Sequence, residues 1–233
     1  MKAKMSSVII AVPILLLLIL AGRYGFTVVS IEESQNTVQS EAFDPVAYVD
    51  EIWESKLLPT FNEKAVELAT ILSEIEVGAD GTASKDSLIP IAQEYGLITV
   101  GDAHMYMVRG SGKIINTNTE TSLGTIEVAL DGYSGPIKVL IYVGTRIPSD
   151  ETSIRDGVGF ISLGDFREQT EYGKVSQEMN KRVLSQVLDN LDTNSLTGKT
   201  ISFMGAFNIR TFNLIQIKLE EIRIVPVEVM LGE

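Results

Sequence analysis

Cysteine is absent from the 233-residue chain, and histidine and tryptophan occur once each, as His104 and Trp53. The first absence excludes disulfides, thiolate metal sites, a cysteine nucleophile and lipidation at a lipobox. A single imidazole also excludes histidine-based triads and multi-histidine metal sites. Basic residues are scarce: 19 Lys and Arg stand against 31 Asp and Glu, for a formal charge of −12. Residues 1–23 hold Lys2, Lys4 and Arg23 and no acid, so the remainder carries −15. A surface of that sign repels phosphate backbones and anionic headgroups and favours cations or basic partners, so nucleic acid is not an expected partner. No GxSxG, P-loop, HExxH or dinucleotide fingerprint occurs, and no repeat of 20 to 50 residues is visible. What chemistry remains must run on carboxylates, hydroxyls, amides, lysine and arginine, and no cofactor or metal is expected.

One long hydrophobic run is present. Met1 to Ser7 carries two lysines, and Val8 to Gly22 is an uninterrupted apolar stretch of 15 residues containing Pro13. A basic segment followed by an apolar one is the layout of a secretory signal. At helical rise the run spans about 22 Å, short of a hydrocarbon core of roughly 30 Å. Extension through Tyr24, Phe26, Val28, Val29 and Ile31, with Arg23 snorkelling, brings it to spanning length. Residues 1–31 are therefore read as a signal anchor, with a cleaved signal peptide as the alternative. The N-terminal lysines favour an inside start and place the body outside the cytoplasm, anchored to the cytoplasmic membrane.

Residues 32–43 are polar and acidic and read as a tether. A helical region follows over 44–98. Asp44 suits an N-cap and Pro45 the first helical position, with Val46, Val49, Ile52 and Trp53 at helical spacing. Pro59 is expected to interrupt this helix, and a second, carrying Phe61, Ala65, Leu68, Ala69 and Leu72, runs to about Glu76. Ser84 is read as the cap of a short helix closed by Gly96. Asp80 to Asp86 is a plain loop, because Thr82 and Ser84 stand where a calcium loop needs acids.

Beyond Gly101 the hydrophobic period changes from about 3.6 to 2. "HMYMVRGSGKIINT", "GTIEVALDG" and "IKVLIYVG" read as strands, the first with a bulge or sharp coil at Gly110 and Gly112. "YGKVSQEMNKRVLSQVLDNL" reads as a helix, and "GKTISFMGAFNI" and "IQIKLEEIRIVPVEVML" as two further strands. Three strands, a helix and two strands is the order of a five-stranded Greek-key OB barrel with its helix between strands three and four. The expected class is α+β, with the OB-like barrel over 99–233.

The stretches "YVDEIWESKLLP", "SIRDGVGFISLGDFREQTEYGKVSQEMNKRV", "GKTISFMGAFNI" and "IRIVPVEV" resemble, in this order, a bacterial family of predicted periplasmic lipoproteins of unknown function. The resemblance covers most of residues 44–229. It implies OB-type domains preceded by helices, frequently encoded beside sugar ABC transporters, and no known catalytic residues. The chain departs from that pattern in lacking the lipidated cysteine.

The residues considered for ligand or partner binding are Trp53, Lys56, Arg155, Asp156, Asp165, Phe166, Gln169 and Asn180. Trp53 is weighed between helix packing and ligand stacking. His104 opens the first barrel strand and is read as a satisfied strand-end histidine. In "SIRDGVGFISLGDFREQTEYG", Arg155 and Asp156 are placed to pair, and Asp165, Arg167, Glu168 and Gln169 cluster at a helix entry where carboxylates cap. The sharper reading lays this connection across the barrel mouth and offers Arg155, Asp165 and Gln169 to a polar ligand, a saccharide or a protein. Three functions are thus set side by side: a non-catalytic tethered accessory to a sugar ABC system, contacting the transporter, its substrate-binding protein or a carbohydrate; a carboxylate-dependent glycan hydrolase; and a structural envelope protein.

Overall fold

The structure is a computed structural model that describes residues 43–189 and 191–232. The expected signal or anchor, residues 1–31, and the tether up to residue 42 lie outside the described residues. Among the described residues no helix is long and apolar enough to cross a membrane. The residues from Asp44 onward form one compact unit.

The helical region opens as its sequence dictates. The Asp44 carboxylate accepts from the amides of Val46 at 2.9 Å and Ala47 at 3.2 Å, capping α1 (Pro45–Ile52). One π turn, Trp53–Leu57, then leads into α2 (Leu58–Lys64). Pro59 does not interrupt the helical path. It sits in the first turn of α2, directly after the π turn has shifted the bonding register through the Leu58 amide to the Trp53 carbonyl. The break comes later, at the two-residue strand β1 (Val66–Glu67), before α3 (Leu68–Glu74). Arg109 causes it: its Nε and Nη2 donate to the Ala65 carbonyl at 2.9 and 2.6 Å, holding that carbonyl out of the helix. After β2 (Thr82–Ser84), α4 (Lys85–Tyr95) ends at Gly96, whose amide donates to the Ala92 carbonyl. A Cβ on Gly96 would stand 2.4 Å from the Met105 carbonyl, so only glycine lets β3 (Leu97–Ile98) lie against its neighbour. Ser84 occupies the N-cap position but its side chain makes no cap bond.

The barrel is built from β4 (Ala103–Asn118), β5 (Thr125–Leu130), β6 (Lys138–Tyr142), β7 (Thr200–Arg210) and β9 (Glu221–Leu231). They are bonded in the order β4, β5, β6, β9, β7, and β7 pairs back onto β4 over Ala103–Lys113, which closes the ring. Only β6 and β9 among these five run parallel. Two helices occupy the β6–β7 connection, α5 (Ser153–Gly157) and α6 (Gln169–Arg182). The strand count is nine among the described residues rather than five. β1 and β3 flank β4, and the stretch expected as one final strand divides into β8 (Gln216–Lys218) and β9 because β8 pairs with β2 in a separate two-stranded sheet.

β4 serves β7 with its first half and β5 with its second. Gly112 sits at the changeover, where a Cβ would stand 2.2 Å from the Ala129 carbonyl. The irregularity in the ladder falls between Ile114 and Asn116, beyond both glycines. Pro226, which has no amide to give a ladder, is accommodated by the register shift between Met204 and Gly205. The barrel core packs Tyr106, Val108, Ile126, Ile141, Phe207 and Ile224, each fully buried, against Leu68, Leu72 and Leu88 of the helical region. Burying each such side chain contributes roughly 1.5–3 kcal/mol. Tyr106 stacks on Phe207 with ring centroids 4.9 Å apart. His104 is not the satisfied strand-end residue expected: its Nδ1 and the Tyr106 hydroxyl are both buried without a hydrogen-bond partner.

Candidate ligand-binding site

The connection from β6 to α6 runs against the strands β4 and β7. Its helix α5 packs on the outward face of β4 and β7. Three polar ties pin it to β7. Ser153 Oγ donates to the Ala206 carbonyl at 3.2 Å, Asn208 Nδ2 to Glu151 Oε1 at 3.0 Å, and Arg210 Nη1 to Asp150 Oδ2 at 3.0 Å. The last bond holds the Asp150 carboxyl below its ordinary range. Asn180 ties α6 to the same segment, its Nδ2 donating to the Glu151 carbonyl at 2.9 Å.

Arg155 is the centre of the next layer. Its side chain is buried; Nε meets Asp156 Oδ1 at 2.7 Å, Nη1 donates to the Tyr172 carbonyl at 2.9 Å, and the guanidinium lies 3.5 Å from the Tyr172 ring centroid. Tyr172 Oη donates to Asp156 Oδ1 at 2.7 Å, and burial followed by this bond pushes its phenol up to about 12. Phe166 stands between Tyr172 and Tyr48, 5.5 Å from each ring centroid. Burial, then the nearby Asp165 and Glu51 charges, raise the Tyr48 phenol. Asp165 Oδ2 accepts from Ser162 N at 2.8 Å and Ser162 Oγ at 3.1 Å, the capping role open to it, although the turn it caps is a 3₁₀ turn ahead of α6. Gln169 begins α6 and is exposed.

The structure thus gathers Arg155, Asp156 and Phe166 around Tyr172. It places the other candidates elsewhere. Trp53 is buried with the Arg182 guanidinium 5.5 Å from its ring, Arg182 in turn pairing with Asp50. Lys56 is exposed, its ammonium 5.7 Å from the Phe160 ring.

Sequence reading passed over a cleft of about 900 Å³ lined by the segments that follow β4 and β6 and by the last turns of the α6 helical segment. Its walls carry hydroxyls from Thr119, Thr121, Ser122, Thr145, Ser185 and Thr193, with Lys181, Glu120 and Asp189 at hand and Val143, Leu184 and Leu188 as the apolar part. Two glycines make the corner. The amides of Val143 and Gly144 both donate to the Gly124 carbonyl, at 2.8 and 2.9 Å, and a Cβ on Gly144 would stand 2.2 Å from the Gly124 nitrogen. The sequence signal was weak, because threonines and serines in "NTNTETS" are also what an ordinary loop contains. Among the described residues, no group of three or more His, Asp or Glu side chains stands ready to hold a metal ion.

A family model described as "Predicted periplasmic lipoprotein (DUF2291)" matches residues 14–230. The chain belongs to the DUF2291 family. That membership accords with the resemblance carried by its collinear motifs, and the family's description gives a periplasmic lipoprotein and no activity. No curated protein matches this DUF2291 chain. Among solved structures it is similar to an OB-fold protein from Thermotoga maritima, with a TM-score of 0.58 and 18% identity over 82% of this chain and all of that one. A likeness at that identity establishes the fold: the barrel is of OB type.

Proposed function

We propose that the protein is a non-catalytic, membrane-tethered extracytoplasmic binding module that accompanies a sugar ABC uptake system, with a carbohydrate as the ligand of the hydroxyl-lined cleft. The observation that carries this reading is the position of the cleft. Its first wall is the loop joining barrel strands one and two, a loop that OB folds use to bind oligonucleotides and oligosaccharides. The strong negative charge of the chain disfavours the first of these. A cleft of about 900 Å³ falls within the range of ligand sites, and hydroxyls beside an apolar floor match a sugar's alternation of hydroxyl and C–H surface. The apolar run at Val8–Gly22 and the family description support a tethered, extracytoplasmic setting.

Against the hydrolase reading stands the use already made of the carboxylates in the 155–171 connection. Asp156 is bonded to Arg155 and Tyr172, and Asp165 to Ser162. Asp165→Asn is therefore expected to leave any activity unaltered. The decisive experiment is a titration of the full chain in vesicles with a panel of mono- and oligosaccharides, alongside crosslinking to the cognate transporter and its substrate-binding protein. Binding that Thr145→Val and Ser185→Val weaken about tenfold supports the reading. Absence of both a sugar and a transport partner overturns it.

A further inference from the structure

At the end of the barrel where β4 begins, opposite the cleft, two loops carry apolar side chains into solvent. The first, residues 97–102, exposes Val100 completely; the second, residues 211–216, exposes Ile215 at 80% and Phe212 at 64%, with Leu214 beside them. The loops form one surface, because the Thr211 amide and hydroxyl both donate to the Asp102 carbonyl. They are also held in shape. Asp102 and Asn213, with φ of 57° and 56°, are the two non-glycine residues in left-handed backbone among the described residues, and each sits in one of these turns. The apolar tips are therefore presented by fixed turns.

Charge decides what such a surface meets. Across both loops the one charged residue is Asp102, and Lys85 neutralises it at 3.0 Å, while the chain beyond residue 23 carries −15. An acidic body is held off a headgroup layer, and only a patch without net charge can approach it. Leu97 and Leu214 border neighbouring clefts, but Val100, Phe212 and Ile215 stand out into solvent, so these tips match a surface that yields to them better than a rigid partner with a shaped recess. Residues 32–43 reach about 40 Å at full extension, which keeps the barrel within reach of whatever bilayer holds the N-terminal run.

We infer that Val100, Phe212 and Ile215 insert into the lipid–water interface of the membrane that tethers the chain, fixing the barrel with its cleft facing away from the bilayer. This rests on the tethered reading given above, and the test separates the two. The chain has no cysteine, so single-site nitroxide labels go onto Ile215→Cys, Val100→Cys and, beside the far cleft, Gln186→Cys. Each full chain is reconstituted in phosphatidylcholine vesicles, floated, and measured for collision with oxygen and with a water-soluble nickel chelate. Labels at 215 and 100 are expected to collide several-fold more with oxygen and several-fold less with nickel than the label at 186. A chain that floats with all three labels equally open to nickel overturns the insertion and leaves tethering intact. Shielding of 215 that appears only when the cognate transporter is added identifies a protein interface and also overturns it. A chain that stays out of the floating fraction overturns the tethering and the insertion together.

Discussion

Replacing Arg155 by methionine is the sharpest test of how the β6–β7 connection is held. The arginine is buried, pairs with Asp156 at 2.7 Å where both side chains are about nine-tenths buried, caps the Tyr172 carbonyl and stacks on the Tyr172 ring. Methionine fills much of the volume but strands the Asp156 carboxylate with only the Tyr172 hydroxyl as partner. Removing one member of a buried ion pair costs about 3–5 kcal/mol, chiefly because a charge is left uncompensated. For a chain of this length that lowers the melting temperature by roughly 6–20 °C. Trp53, buried at the start of the π turn after α1 and the sole tryptophan, reports the transition by fluorescence. The double variant Arg155→Met with Asp156→Leu removes the stranded charge and leaves the Tyr172 hydroxyl without its acceptor, so it is expected about 1–2 kcal/mol more stable than Arg155→Met alone. A single variant that loses less than about 1 kcal/mol, or a double variant whose cost equals the sum of the two singles, refutes the reasoning.

Tyr106→Phe deletes a buried hydroxyl that has no partner and keeps the stacking on Phe207, so denaturation should find the variant as stable as the parent or up to about 1 kcal/mol more stable; a clear loss would reveal a hidden bond. His104 is held below its ordinary value by burial first and the Lys85 charge second. Its unfolded form therefore takes up a proton before its folded form, so stability present above about pH 6.5 falls as pH drops toward the lower folded value, with a slope of at most about 1.4 kcal/mol per unit. His104→Leu should flatten that slope in urea titrations at successive pH values, and an unchanged slope would assign it to other groups. Gly144→Ala should spoil the corner of the cleft, with sugar binding lost before the fold is; tight binding by this variant would show that the corner can shift.

Much of this architecture is readable from pattern alone because it is local. The change of period near Gly101, the Asp44 cap and the strand–helix–strand order depend on neighbours in sequence, and a short-range pattern states them. Pro59 and Ser84 are misread locally, but the misreadings that move element boundaries involve partners far away in the chain. "IQIKLEEIRIVPVEVML" alternates on both sides of Leu219, and nothing within it tells that Gln216–Lys218 leaves the barrel to pair with Thr82–Ser84. The helix expected through Ala65 is broken by Arg109, a residue 44 positions on. Arg155 and Asp156 pair because they are adjacent, which the sequence shows. That the pair is buried under Tyr172 and spent on structure depends on how α6 folds back, and the cleft exists only where three separated segments meet.

The pairing of β4 with β7 sets the timetable of folding. Its partners, from Lys113 with Thr200 to Ala103 with Arg210, are separated by 87 to 107 residues. In a chain that leaves the cytoplasm N-terminus first, β4 emerges with one edge unpaired and must wait for nearly half the protein to follow before the ring can close. Until then a strand of 16 residues has β1, β3 and β5 on one edge and nothing on the edge that β7 will take. The bare edge is open to pairing with other chains during that interval, and the arrival of Thr200–Arg210 is the event that ends its exposure to aggregation.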